Sequence, residues 1–208
     1  MVDDAAFGWV EPSQARSKQK VDRILNAAIE LGIEKGSLDI KFTEVAKRAG
    51  VAIGTLYQFF PNRSALIGRL FAREMEPIDQ ATANALVDFG SIEALSENIE
   101  TALRETLELV RRKPGLMVIW SSPALDPVIE SADFANTRRN ARVLSDRLKS
   151  LLPDGSELHD IRATALIICH LWGSVVRLSV LAGEEHEPAI LKQYANMLAA
   201  HGRALASR

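Results

Sequence analysis

From Val21 to Leu205 the apolar side chains recur at intervals of three and four residues, and no stretch alternates as a half-buried strand would. A helix turns every 3.6 residues, so this spacing gathers each apolar set into one stripe. Val21, Ile24, Leu25, Ala28 and Leu31 form such a stripe over 17–35, and Gly36 is placed to stop that helix. Short helices are predicted at 43–49 and 54–59, where Pro61 disfavours helical geometry at Phe60. Asn62 then caps a helix with the stripe Leu66, Ile67, Leu70, Phe71 and Met75, which Pro77 should kink or interrupt. Ser91 opens a long helix carrying Leu95, Ile99, Leu103, Leu107 and Val110, ended by Pro114-Gly115. Helices at 116–120, 127–151, 157–182 and 188–206 complete the pattern, with turns expected at Ser121-Ser122-Pro123, Pro153-Asp154-Gly155 and Gly183 to His186. The expected fold is all-α, with about nine helices.

Composition narrows the class. With 208 residues, 47% of them hydrophobic, the chain can bury a real core and is not intrinsically disordered. The single cysteine, Cys169, excludes a disulfide framework and suits a reducing compartment. Met1 to Pro12 has no long apolar run and reads as a mobile arm, not a secretory signal. The apolar stretch Ala163 to Val176 falls short of the roughly 20 residues a membrane span needs. A soluble cytoplasmic protein with no membrane association is expected. Residues 13–70 hold ten Lys/Arg against five Asp/Glu, whereas the rest of the chain holds fifteen against twenty-two. A near-neutral total thus hides a basic head on an acidic body, the asymmetry of a polyanion-binding module, although a solvated helix face can also be basic.

The block Phe42 to Phe60 carries the functional signal. Two short helices joined by a glycine-containing turn make a helix-turn-helix. Val45, Ala46 and Ala49 give the first helix a narrow face, and Gly50 admits the left-handed backbone of a tight turn. Val51, Leu56 and Phe60 are the expected core beneath the second helix, leaving Ile53, Gly54, Thr55, Tyr57 and Gln58 outward. Helices this short need scaffolding from their neighbours at 17–35 and from residue 63 onward.

The string from Ala49 through Gly54-Thr55-Leu56-Tyr57 and Phe60-Pro61-Asn62-Arg63 to Leu66 resembles the DNA-binding domain of the TetR/AcrR family of bacterial transcription regulators. The resemblance covers about residues 17–70. It implies a helix-turn-helix domain at 13–62, a connecting helix at 63–77, and a ligand-binding and dimerisation domain at 78–208. It also implies a homodimer that grips a double-stranded DNA operator and releases it when a small molecule binds. Lys18, Lys41, Thr43, Ile53, Gly54, Thr55, Tyr57, Gln58 and Arg63 would then form the DNA-contacting set. Within it, Thr55 and Gln58 offer hydrogen bonds to bases, Ile53 meets thymine methyls, and Tyr57 and Arg63 meet phosphates. The chain departs from the family pattern at Lys41, where a threonine is usual, so Asp39 or Thr43 is left to cap that helix. It departs again at Ala52, where a capping serine is frequent and whose loss costs about 1 kcal/mol.

No catalytic constellation, cofactor motif or metal-ligand spacing emerges, and Cys169 and His170, adjacent on a helix, point about 100° apart. Leu103, Leu107, Met117, Trp120, Phe134, Arg138, Cys169 and Trp172 are candidates for lining a largely apolar effector cavity, ordinary core packing being the competing account of each. The helices at about 157–182 and 188–206 resemble the family's dimerisation pair, with small residues Ala163, Ala165, Gly173 and Ser174 and the stripe Tyr194, Met197, Leu198 and Leu205. A DNA-bound helical adaptor without a small-molecule switch is the alternative.

Overall fold

The computed structural model describes residues 12, 14–87, 89–120, 127–152 and 158–206, with Val128 and Leu158 described by backbone alone. Among these residues there are nine α-helices and no strand: α1 (Ala15–Lys35), α2 (Phe42–Ala49), α3 (Ile53–Phe59), α4 (Arg63–Val87), α5 (Ile92–Arg112), α6 (Gly115–Trp120), α7 (Pro127–Leu151), α8 (Leu158–Ala182) and α9 (Glu187–Ala206). The stop signals act as the sequence predicts. Gly36, Gly50 and Gly183 take positive φ after α1, α2 and α8, and the N–H of Gly50 closes back on α2. Asn62 Oδ1 accepts the Ala65 N–H at 2.9 Å at the start of α4, and Ser91 Oγ accepts that of Ala94 at 3.1 Å ahead of α5. The expected arm apart from Pro12, and the turns at 121–123 and 153–155, lie outside the described residues.

Two expectations need correction. Pro77 does not interrupt the fourth helix: α4 runs through it to Val87. A proline inside a helix costs about 3 kcal/mol. Burying Ile78 and Leu86 beyond it returns roughly 1.5–3 kcal/mol each, enough to offset that cost. The apolar stretch near residue 170 is likewise longer than its core suggests. His159–Ala182 on α8 is long and apolar enough to cross a membrane by length and composition, as a bundle's core helix also is. Its residues Ile161, Ala165, Ile168, Trp172, Val176 and Ser179 are buried, and it packs on α5 and α9.

The chain divides into two compact units, Met1–Glu76 with Lys113–Asp133, and Pro77–Arg112 with Phe134–Arg208. In the first, α1 packs on α2 and α6, and α2 on α3. Its core joins Ile24, Leu25 and Ala28 of α1 to Val45 of α2, Leu56 of α3, and Leu66, Leu70 and Phe71 of α4, all essentially inaccessible to water. The α1–α6 approach depends on Gly115, where a Cβ would lie 2.5 Å from Ile29 Cγ1. In the second unit α5, α8 and α9 pack on one another. The buried Ser96 hydroxyl donates to the Ala195 carbonyl at 2.7 Å, and the buried carboxylate of Glu187 pairs with Arg111. Arg147 clasps the loop before α5, donating to the Phe89 carbonyl at 2.7 Å and stacking over the Phe89 ring.

Candidate nucleic-acid interface

The helix-turn-helix is built by the contrast between the two faces of α3. Leu56, and Phe60 just past the helix end, are wholly buried, whereas Ile53, Gly54, Tyr57 and Gln58 face outward. Ile53 and Tyr57 are four residues apart, as are Gly54 and Gln58, so the four share one side of the helix. Tyr57 is 52% exposed. Thr55 is half-buried, and so is Val51, which contributes less to the core than its apolar character suggests.

Gly54 is the most telling of these residues. Its φ is negative, and a Cβ placed on it would meet nothing within 4 Å. Neither turn geometry nor packing inside the chain therefore calls for glycine there. Glycine is a poorer helix former than alanine, although Gly54 lies in the first turn of α3 and not in its interior. A surface that accepts glycine there gains room for an outside backbone to approach.

The face continues onto α2. Lys41 and Thr43 are exposed at its start. The ring of Phe42 lies 5.1 Å from that of Tyr57, tilted by 49°, and so holds the phenol on the α2 side of α3. Sequence reasoning missed Phe42, because nothing in the spacing of two aromatics on different helices shows that they touch. The cap of α2 also differs from both candidates. Neither Asp39 nor Thr43 fills the position: Lys41 does, with Glu44 accepting the Lys41 backbone N–H at 3.1 Å. Glu44 suits this role because it also holds Lys35 Nζ at 2.6 Å, and both contacts lower its pKa. Ala52 caps α3 without a side-chain hydrogen bond, as its side chain requires.

Several bases of the head are engaged within it. Arg48 grips Glu34 with two hydrogen bonds of 2.7 and 2.8 Å, which lower the Glu34 pKa and raise that of Arg48. Arg63 donates to the Leu38 carbonyl at 2.8 Å and lies 3.8 Å from Asp39, so it fastens the start of α4 to the loop before α2. Lys18 is exposed on the first turn of α1.

The residues expected to line an effector cavity are divided between the units. Met117 and Trp120 belong to the first, half-buried and buried respectively. Leu103, Leu107, Cys169 and Trp172 are buried in the second, where the Trp172 indole N–H has no hydrogen-bond partner. Burial pushes the Cys169 thiol up to about 12. Phe134 and Arg138 are exposed and line an open cleft of about 640 Å³ between α7 and α8. On the expected dimer face, Ala165, Tyr194 and Leu205 point into their own unit, whereas Met197 is exposed. The Tyr194 hydroxyl donates to the Ile168 carbonyl at 3.0 Å.

A basic helix-turn-helix head with one open, glycine-relieved helix face defines the class: proteins that read duplex DNA through a short recognition helix. The sequence pattern described as "Bacterial regulatory proteins, tetR family" matches residues 24–70, and that described as "Tetracyclin repressor-like, C-terminal domain" matches residues 93–202. The chain belongs to the TetR family. It is 38% identical over 80 residues to the transcriptional repressor KstR of Rhodococcus jostii, a stretch covering 38% of each chain. It is 44% identical over 115 residues to the HTH-type regulator YvdT of Bacillus subtilis, covering 53% of this chain and 56% of that one. The chain thus spans well under two thirds of these relatives. The crystal structure of Bacillus subtilis FadR in complex with stearoyl-CoA shares the fold, with a TM-score of 0.62 at 19% identity over 89% of this chain and 97% of that one.

Proposed function

We propose that this chain is a transcriptional repressor that binds a palindromic operator as a homodimer and leaves it when a small molecule binds the helical body. The observation that carries the reading is the open face of α3, where Tyr57 stands half-exposed against Phe42 beside a glycine that nothing inside the chain requires. With α3 in the major groove, Thr55 and Gln58 address base edges and Tyr57 a phosphate, while Lys18, Lys41 and Thr43 contact the backbone on either side. Arg63 serves the interface by anchoring the recognition unit to α4 through Leu38, beside any phosphate it meets.

Pairing is supported by an exposed apolar stripe on α8 at helical spacing, Ile167, Leu171, Leu178 and Leu181, with Met197 on α9. A dimer would set two recognition helices about 34–36 Å apart, one turn of DNA. The effector acts by preferring the state whose spacing does not fit the duplex, and its influence is limited by that preference. The known repressor KstR and the ligand-bound FadR support both halves of the reading by family likeness.

A gel shift on DNA flanking the chain's own gene tests it. Binding should be specific, with a Kd that rises steeply with salt. Gln58→Ala should relax discrimination at one base position by about 1–3 kcal/mol, and Lys41→Ala should weaken all sequences alike. Binding that is absent, or indifferent to salt, would overturn the reading. A protein partner captured on the operator, with no compound that releases the DNA, would favour the adaptor instead.

A further inference from the structure

The cleft between α7 and α8 has a chemistry of its own. Phe134, Arg138, Ala141, Arg142, Ser145 and Asp146 line it from α7, at positions that repeat every three or four residues along one side of that helix. Arg162 and Leu166 face them from α8. Every one of these residues lies in the second compact unit.

Charge is concentrated there. The second unit carries thirteen Lys/Arg against fourteen Asp/Glu, so on average it is slightly acidic. Arg138, Arg142 and Arg162 line the cleft with the single acid Asp146, all four exposed to water. Elsewhere in the unit Arg111 pairs with Glu187, Arg104 with Glu100 and Arg203 with Glu93, while Arg139, Arg147 and Arg177 donate to neutral groups. Among the described residues no carboxylate lies within ion-pair distance of Arg138, Arg142 or Arg162, although Asp146 shares the cleft. Like charges brought together without counterions repel one another, and an anion placed among them relieves that repulsion. Guanidinium groups offer paired N–H donors that match a carboxylate or phosphate.

The cleft also has an apolar part. Phe134 is 45% exposed, with its ring edge-on to His170 at 6.4 Å, and Ala141 and Leu166 continue the apolar wall. A volume of about 640 Å³ falls within the range of small-molecule sites. An inorganic anion would leave the apolar wall wet, and a neutral hydrocarbon would leave the cationic side of the cleft without a counterion.

We propose that this cleft binds a small organic anion with an apolar body, its acid group held by Arg138, Arg142 and Arg162 and its hydrocarbon laid against Phe134 and Leu166. This assigns an effector class to the repressor proposed above and rests on that reading.

The test is calorimetric titration of the full chain at low ionic strength with decanoate, decanol, decylammonium and acetate. Decanoate should bind, with the other three at least tenfold weaker. The double variant Arg138→Met/Arg142→Met, and separately Arg162→Met, should each weaken decanoate at least tenfold while leaving the melting temperature and ligand-free operator binding unchanged. Because methionine keeps the length and apolar stem of the side chain, a lost shape cannot account for the result. Equal binding of decanol, or unaltered decanoate binding by both variants, would overturn the proposal. So would a wild-type chain that ignores decanoate while Arg142→Glu changes its dimer dissociation, since the cleft would then be covered by a second copy. Operator binding is measured apart from ligand binding. A chain that holds its operator but not decanoate loses only the cleft. One that binds decanoate through these arginines but no operator loses the repressor.

Discussion

At the scale of single residues, the most informative pair is Phe42 and Tyr57. In the proposed DNA complex the phenol meets a phosphate, and the ring contact with Phe42 holds it on the α2 side of α3. Tyr57→Phe should keep the ring contact and lose the hydroxyl, weakening operator and non-operator DNA by a similar factor. Phe42→Leu should keep the hydroxyl and loosen its position, costing about 0.5–1.5 kcal/mol of binding with circular dichroism unchanged. Titrating both variants against two DNA sequences checks this. A second residue prediction concerns Cys169, whose thiol burial pushes up to about 12. An ordinary thiol titrates near 8.5, so at pH 8 the native thiolate population is lower by about three orders of magnitude. A disulfide reagent such as DTNB should leave the folded protein unlabelled over minutes and react at once in guanidinium chloride. Tyr57, Gln58 and Gly54 were legible as outward residues because helical spacing alone assigns faces. Phe42 and the Arg63 anchor on Leu38 were not, since both depend on which segments meet.

At the scale of elements, the helix ends were written in local code. Gly36, Gly50, Asn62, Ser91 and Gly183 act where the sequence places them, because a cap needs only its own few neighbours. The two misread ends are those where distant packing decided. Glu44 closes α2 while also holding Lys35 of α1, and buried Ile78 and Leu86 carry α4 through Pro77. Close helix approach is a further non-local property. A Cβ on Gly202 of α9 would sit 2.5 Å from Ile92 Cγ2 of α5, a branched atom with little freedom to move. Gly202→Ala should therefore destabilise the protein by about 1–3 kcal/mol in urea unfolding, despite alanine's better helix propensity. Ile92→Ala should absorb part of that cost, so the double mutant would be less destabilised than the sum of the singles.

At the scale of the whole molecule, the unpartnered apolar stripe of α8 makes the strongest demand. Leu181 is 82% exposed, and Leu178 and Ile167 are each more than half exposed. Leu178→Glu with Leu181→Glu should raise the dimer dissociation constant at least a hundredfold in sedimentation velocity and abolish high-affinity binding to a full palindrome. Helical content should stay intact, because Leu181 lies almost wholly in water and Leu178 is more than half exposed. The sequence by itself determined the helix count, most of the helix ends and the helix-turn-helix, since each follows from short-range periodicity or from a motif confined to a few turns. Only the tertiary structure decided that Lys113–Asp133 belongs with the N-terminal unit, that Tyr194 and Leu205 turn inward while Met197 stays in water, and that three arginines from two helices share one cleft. Helical periodicity says which residues share a face, but the neighbour that face meets is chosen by packing among segments far apart in the chain.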